Sequence, residues 1–78
     1  MTEYQGSFTI ELGPEAPLQT VPHGLKIEGR TVAVPEGRMR VSTHGPEFRT
    51  KDGMPFFWTP SLVIAVRSSD GGMLWRSS

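Results

Sequence analysis

The chain has 78 residues, nine glycines, seven prolines, no cysteine and a formal net charge of zero. This excludes a disulfide scaffold and a thiolate zinc site, and it leaves room for one domain, residues 1–78. The apolar fraction is that of a folded chain, and glycine and proline at this density argue for many turns and against long helices.

The first element is Ser7 to Leu12, where Phe8, Ile10 and Leu12 alternate with Ser7, Thr9 and Glu11. Period two marks a half-buried strand. It stops at Gly13-Pro14, and residues 13–24 form a loop with Pro14, Pro17 and Pro22, which rule out a central strand or an ordinary helix there.

Four turn signals follow at eight-residue spacing: Glu28-Gly29, Glu36-Gly37, His44-Gly45 and Asp52-Gly53. Glycine reaches the positive φ that tight turns need. The segments between them, Arg30–Pro35, Arg38–Thr43 and Pro46–Lys51, have the usual length of a strand. This spacing predicts a meander that reverses at every eighth residue. Asp52-Gly53 is the clearest hairpin, pairing Phe48 with Phe57 and Arg49 with Phe56 and leaving Pro55 at an edge.

Pro60 ends that segment. The run Leu62-Val63-Ile64-Ala65-Val66 reads as a strand buried on both faces. It is far shorter than the roughly 20 residues of a membrane-spanning helix. Asp70-Gly71-Gly72 turns the chain, and Met73-Leu74-Trp75 returns with Trp75 opposite Val66. The predicted fold is all-β, a small antiparallel barrel or compact sandwich of six to seven short strands.

Charge is unevenly spread. Residues 1–25 carry Glu3, Glu11 and Glu15 with no Lys or Arg, whereas residues 26–51 set Lys26, Arg30, Arg38, Arg40, Arg49 and Lys51 against Glu28, Glu36 and Glu47. The most distinctive stretch is Lys51–Trp58, which ends in Phe56-Phe57-Trp58. Alternation forbids all three rings from facing inward on one strand, so an outward ring offers an anchor to a partner. Arg38, Arg40, Arg49 and Lys51 fall on the neighbouring strands and extend that candidate surface.

Catalytic patterns are missing. No serine sits in a nucleophile elbow, no glycine cluster forms a phosphate loop, and His23 and His44 each lie beside glycine in a predicted turn. Pro22-His23-Gly24 resembles a segment of cupin barrels, but a cupin metal site needs a histidine cluster with a carboxylate. Lys51–Trp58 resembles a stretch near the start of some glycoside-hydrolase-like barrel domains over seven or eight residues, but it holds no catalytic acid and the chain is far too short for that barrel. Neither resemblance implies an activity here. The sequence therefore predicts a non-enzymatic protein–protein interaction module without cofactor or metal. It would be a stand-alone subunit, inhibitor or accessory protein, of the kind phages encode or carry in the virion, working with a protein partner or as a homo-oligomer.

The alternative is a small barrel that binds single-stranded nucleic acid through the same aromatic and basic residues. A third, weaker reading is a carbohydrate or small-ligand binder that stacks its ligand on Trp58 or Trp75. No basic, apolar leader is present at Met1-Thr2-Glu3-Tyr4, so the expected location is the cytoplasm, away from membranes.

Overall fold

A computed structural model describes residues 2–77. The strands are β1 (Thr2–Leu12), β2 (Lys26–Glu28), β3 (Thr31–Ser42), β4 (Gly45–Arg49), β5 (Pro55–Phe56), β6 (Val63–Ser68) and β7 (Met73–Arg76). A single 3-10 turn, Pro60–Leu62, precedes β6. All pair antiparallel in the order β5-β4-β3-β1-β6-β7, with β2 added to β3. No strand pair among the described residues joins β5 to β7, so the all-β fold is a rolled sheet with two ends. No helix among the described residues is long and apolar enough to cross a membrane.

The long β1–β3 ribbon organises everything else. Its register runs from Thr2↔Val41 to Gly6↔Gly37, then resumes at Phe8↔Val34 and continues to Glu11↔Thr31. Ser7 on β1 therefore faces two residues on β3, Pro35 and Glu36. This is a β-bulge, which bends a strand and sharpens its twist. Glu36 takes φ +53° there, and its N–H donates to Ser7 Oγ. Proline suits the bulge because its missing N–H removes nothing from the ladder.

The bulge splits the sheet into two leaves. Beyond it, the second half of β1 pairs β6, and the first half of β3 pairs β2. Before it, the first half of β1 and the second half of β3 extend to β4 and β5. It also switches the inward parity of β3 from Val32 and Val34 to Gly37 and Met39. Both leaves thus turn apolar side chains to one core. There Phe8 stacks on Phe48 at 5.8 Å, Phe48 meets Phe56 at 5.4 Å, and Phe56 meets Trp58 edge-on at 5.8 Å. Each buried large side chain contributes roughly 1.5–3 kcal/mol.

The proline-rich loop, residues 13–24, is fastened to both leaves. Arg30 donates through Nε and Nη2 to the Gly13 carbonyl and through Nη2 to the Ala16 carbonyl. Trp58 Nε1 donates to the Pro17 carbonyl at 2.9 Å. These bonds satisfy carbonyls that proline-broken backbone cannot pair in a sheet.

Three expectations change. Glu36-Gly37 does not reverse the chain: Arg30–Pro35 and Arg38–Thr43 belong to one strand carried through the bulge. The β4–β5 register is Phe48↔Phe56 and Arg49↔Pro55, one residue from that predicted. Thr50 N–H bonds the Met54 carbonyl, closing a three-residue loop with Gly53 at φ +87°, in place of a two-residue turn. Finally, the apolar run is not buried on both faces. Leu12 pairs Val63 while Glu11 pairs Ala65, so Ile64 is an inserted residue and stands exposed. The expected partnership of Trp75 with Val66 is present.

Gly37 packs too tightly for any side chain. An added Cβ would lie 2.5 Å from Val34 Cγ1 and 2.7 Å from the Arg49 carbonyl oxygen. Gly37→Ala is expected to destabilise the fold by about 1–3 kcal/mol, measured by urea unfolding.

The β6–β7 turn carries a pH dependence. The Asp70 carboxyl is held below its ordinary value, first by the Ser68 hydroxyl and then by the Gly72 N–H. A lowered folded value means its contribution is fully present above the unfolded Asp pKa, near 4, and lost as pH falls through the lower folded value. The protection factor of the Gly72 amide, its exchange rate relative to the intrinsic rate at the same pH, should therefore fall on acidification below pH ~4, and Asp70→Asn should flatten that dependence.

Candidate functional site

Strand alternation assigns the aromatic string. Phe56 pairs inward-facing Phe48 and is buried, and Trp58 is buried two residues on. Phe57, between them, turns outward with 67% of its surface exposed. Two of the three rings singled out from the sequence are core, and one is a surface group. The one-residue change in register decides this, because it moves Phe56 rather than Phe57 opposite Phe48.

The outer face of the same leaf holds the predicted arginines. Arg38 and Arg40 project from β3, and Arg49 from β4, all exposed. Two cross-strand rows result. In one, Gln5 pairs Arg38, Arg38 pairs Arg49, and Arg49 pairs Pro55. In the other, Glu3 pairs Arg40 and Arg40 pairs Glu47. The second row alternates in sign, whereas the first sets two guanidinium groups directly across from each other. Like charges in that position repel. Arg49 Nη1 donates to the Gly53 carbonyl at 3.0 Å, and among the described residues no carboxylate pairs with Arg38 or Arg49.

Lys51 stands apart from this face. It lies in the β4–β5 turn and pairs with Glu36 at 3.3 Å, both side chains about 70% exposed. Such a pair contributes little to stability.

Two shallow depressions flank Phe57. One, of about 580 Å³, spreads over the arginine rows from Glu3 and Gln5 to Pro55 and Phe57. The other, of about 550 Å³, lies between the β3–β4 turn and the strap of residues 57–60, with His44, Pro46 and Glu47 on its walls. Phe57 belongs to both and forms the ridge between them. His23 and His44 sit in separate exposed turns.

Glu3, Gln5 and Glu47 complete the face, and sequence reasoning did not single them out. Glu47 has the same parity as Arg49, so its side was readable once Phe48 was placed inside. Glu3 and Gln5 share the outward parity of Thr9 and Glu11, but only the β1–β3 register shows that they neighbour Arg40 and Arg38.

Phe57→Ala should leave stability unchanged within about 0.5 kcal/mol, as for a surface position. Trp58→Ala should cost about 3–5 kcal/mol, since it empties core volume and strands the Pro17 carbonyl. Thermal melts of the two variants separate ring-as-anchor from ring-as-core. Comparison with protein-family models, with curated proteins and with solved structures finds no match for this chain.

Proposed function

We propose that this chain is a protein-binding module, non-enzymatic in its action, whose contact surface is the outer face of β1, β3, β4 and β5. The carrying observation is Phe57: a large ring, 67% exposed, standing between two depressions and next to arginine-bearing strands. Leaving such a ring in water forgoes burial, and a ring held between buried Phe56 and Trp58 has its backbone already placed before a partner covers it. Arg38 and Arg49, adjacent and lacking a carboxylate between them, suit an acidic side chain or a chain-terminal carboxylate of the partner. Subunit, inhibitor and virion-associated roles all use a surface of this kind.

A protein partner fits the face better than a nucleic acid. Glu3 and Glu47 lie in the row beside the arginine pair and would repel phosphates, and Phe57 is a single ring where base stacking uses several. The Arg38–Arg49 pair is the one feature that favours single-stranded nucleic acid. Binding of that kind weakens steeply with salt.

A photo-crosslinking residue at position 57, in the cells that make this protein, should give one discrete protein adduct. The same residue at Ile27, exposed on the other leaf, should give none, and Arg38→Glu with Arg49→Glu should abolish the adduct. Absence of an adduct at 57 overturns the proposal. So does salt-sensitive binding of a labelled single-stranded oligonucleotide that is lost in Phe57→Ala.

A further inference from the structure

Among the described residues, the first half of β1 pairs with β3 alone. Residues Thr2–Gly6 pair β3 in unbroken register, but β6, on the other side of β1, pairs only Phe8–Leu12. Beyond Phe8 the chain peels away, with Ser69 N–H bonding the Ser7 carbonyl at 3.0 Å as the β6–β7 turn begins. Among the described residues no strand continues alongside Thr2–Gly6. Among the described residues this is the longest open edge of the sheet, ending at Gly6, which takes φ +144°. The others are β5, with two residues and a proline; β2, with three residues; and β7, with four residues and a register shift. An open, proline-free edge of five residues is a template for strand addition.

We infer that this edge pairs with the same edge of a second copy, antiparallel about a two-fold axis at Tyr4. That register sets Gln5 of each chain opposite Glu3 of the other, and it is favoured by the charge rows. On each monomer the row Arg49–Arg38–Gln5 ends at the edge with two positive charges and no acid. The row Glu47–Arg40–Glu3 ends at the same edge with two acids around one base. The two-fold joins the first row of one chain to the second row of the other, and does so twice. Arg49–Arg38–Gln5 then continues into Glu3–Arg40–Glu47 of the second copy, bringing each surplus of positive charge next to a surplus of negative charge. A register shifted by one residue would turn outward side chains against inward ones. A register shifted by two, centred on Glu3 or on Gln5, would place that residue against itself and lose the match between rows. The outcome is a continuous eight-stranded outer face with Phe57 near both ends. The inference uses the same face as the proposed function but does not depend on its partner.

Light scattering after size exclusion tests it on the full chain. The expected mass is twice the 8.6 kDa of the monomer at sub-millimolar concentration. Gln5→Glu should weaken the dimer at least tenfold, because it opposes carboxylates at both symmetric positions, and Gln5→Lys should tighten it. Within a monomer, Gln5→Glu faces Arg38, so its melting temperature should hold or rise; dimer loss by misfolding is thereby distinguished. Because the chain has no cysteine, a mixture of Glu3→Cys and Gln5→Cys chains should be joined by a short bis-maleimide more efficiently than either chain alone. A monomeric wild type overturns the inference, as does a dimer indifferent to both Gln5 substitutions. Phe57→Ala should leave the dimer intact, which separates failure of this inference from failure of the proposed function.

Discussion

One extra residue in β3 decides the shape of this protein. A chain this short cannot build two independent sheets, yet it needs two apolar surfaces to enclose a core. The bulge at Pro35-Glu36 meets both needs by letting a single β1–β3 ribbon serve both leaves. It holds Glu36 in the left-handed region, which costs of order 1–2 kcal/mol for a residue with a side chain. The return is the change of parity that turns Met39 to the same interior as Val32 and Val34. Gly37 follows because the folded ribbon brings Val34, Phe8 and the Arg49 backbone into the space a Cβ at that position would take.

The interior aromatics and the proline-rich loop are consequences of that bend. Phe8 lies beside it and stacks on Phe48 of the other leaf. Trp58 then reaches the loop that follows β1 and bonds its Pro17 carbonyl, while Arg30 holds Gly13 and Ala16 from the opposite side. A loop of this length would ordinarily be loosely held. Here two long side chains, one from each leaf, supply the donors its backbone lacks. No buried side-chain nitrogen or oxygen among the described residues is left without a partner, so polar satisfaction accompanies apolar closure.

Much of this was legible in the sequence, and the failures have one origin. Alternation identified the second half of β1, and the glycine turns at 29, 45 and 53 lie where the spacing put them. Glu36-Gly37 was misread because a hairpin turn and a bulge make the same local demand for positive φ; only the partner strand tells whether the chain reverses. The Asp52-Gly53 hairpin was found, but its loop length was not, since two-residue and three-residue loops both accept Asp-Gly. That single residue exchanges the roles of Phe56 and Phe57. The candidate site was legible as residue types, Phe57 with Arg38, Arg40 and Arg49. It was not legible as an arrangement, because Glu3 and Gln5 reach it from more than thirty positions away in the chain.

The same constraint that makes the core possible leaves the outer face unbalanced. With β3 committed to β1 along its whole length, β6 can cover only the half of β1 on its own side of the bend. Among the described residues the other half is left as an edge, and that half carries Glu3 and Gln5 beside the arginine rows. On β3 and β4, inward positions are fixed by Met39 and Phe48, so the arginines at 38, 40 and 49 have no choice but to share the outer side. Two of them meet across the strands, a repulsion that a different residue at either position would have relieved at no cost to the interior. Phe57 is likewise fixed outward by Phe56 and Trp58 on either side of it, yet nothing inside requires that it be aromatic. Core packing accounts for where these side chains point. It does not account for their chemistry, an exposed ring and a pair of opposed guanidinium groups beside the edge of β1.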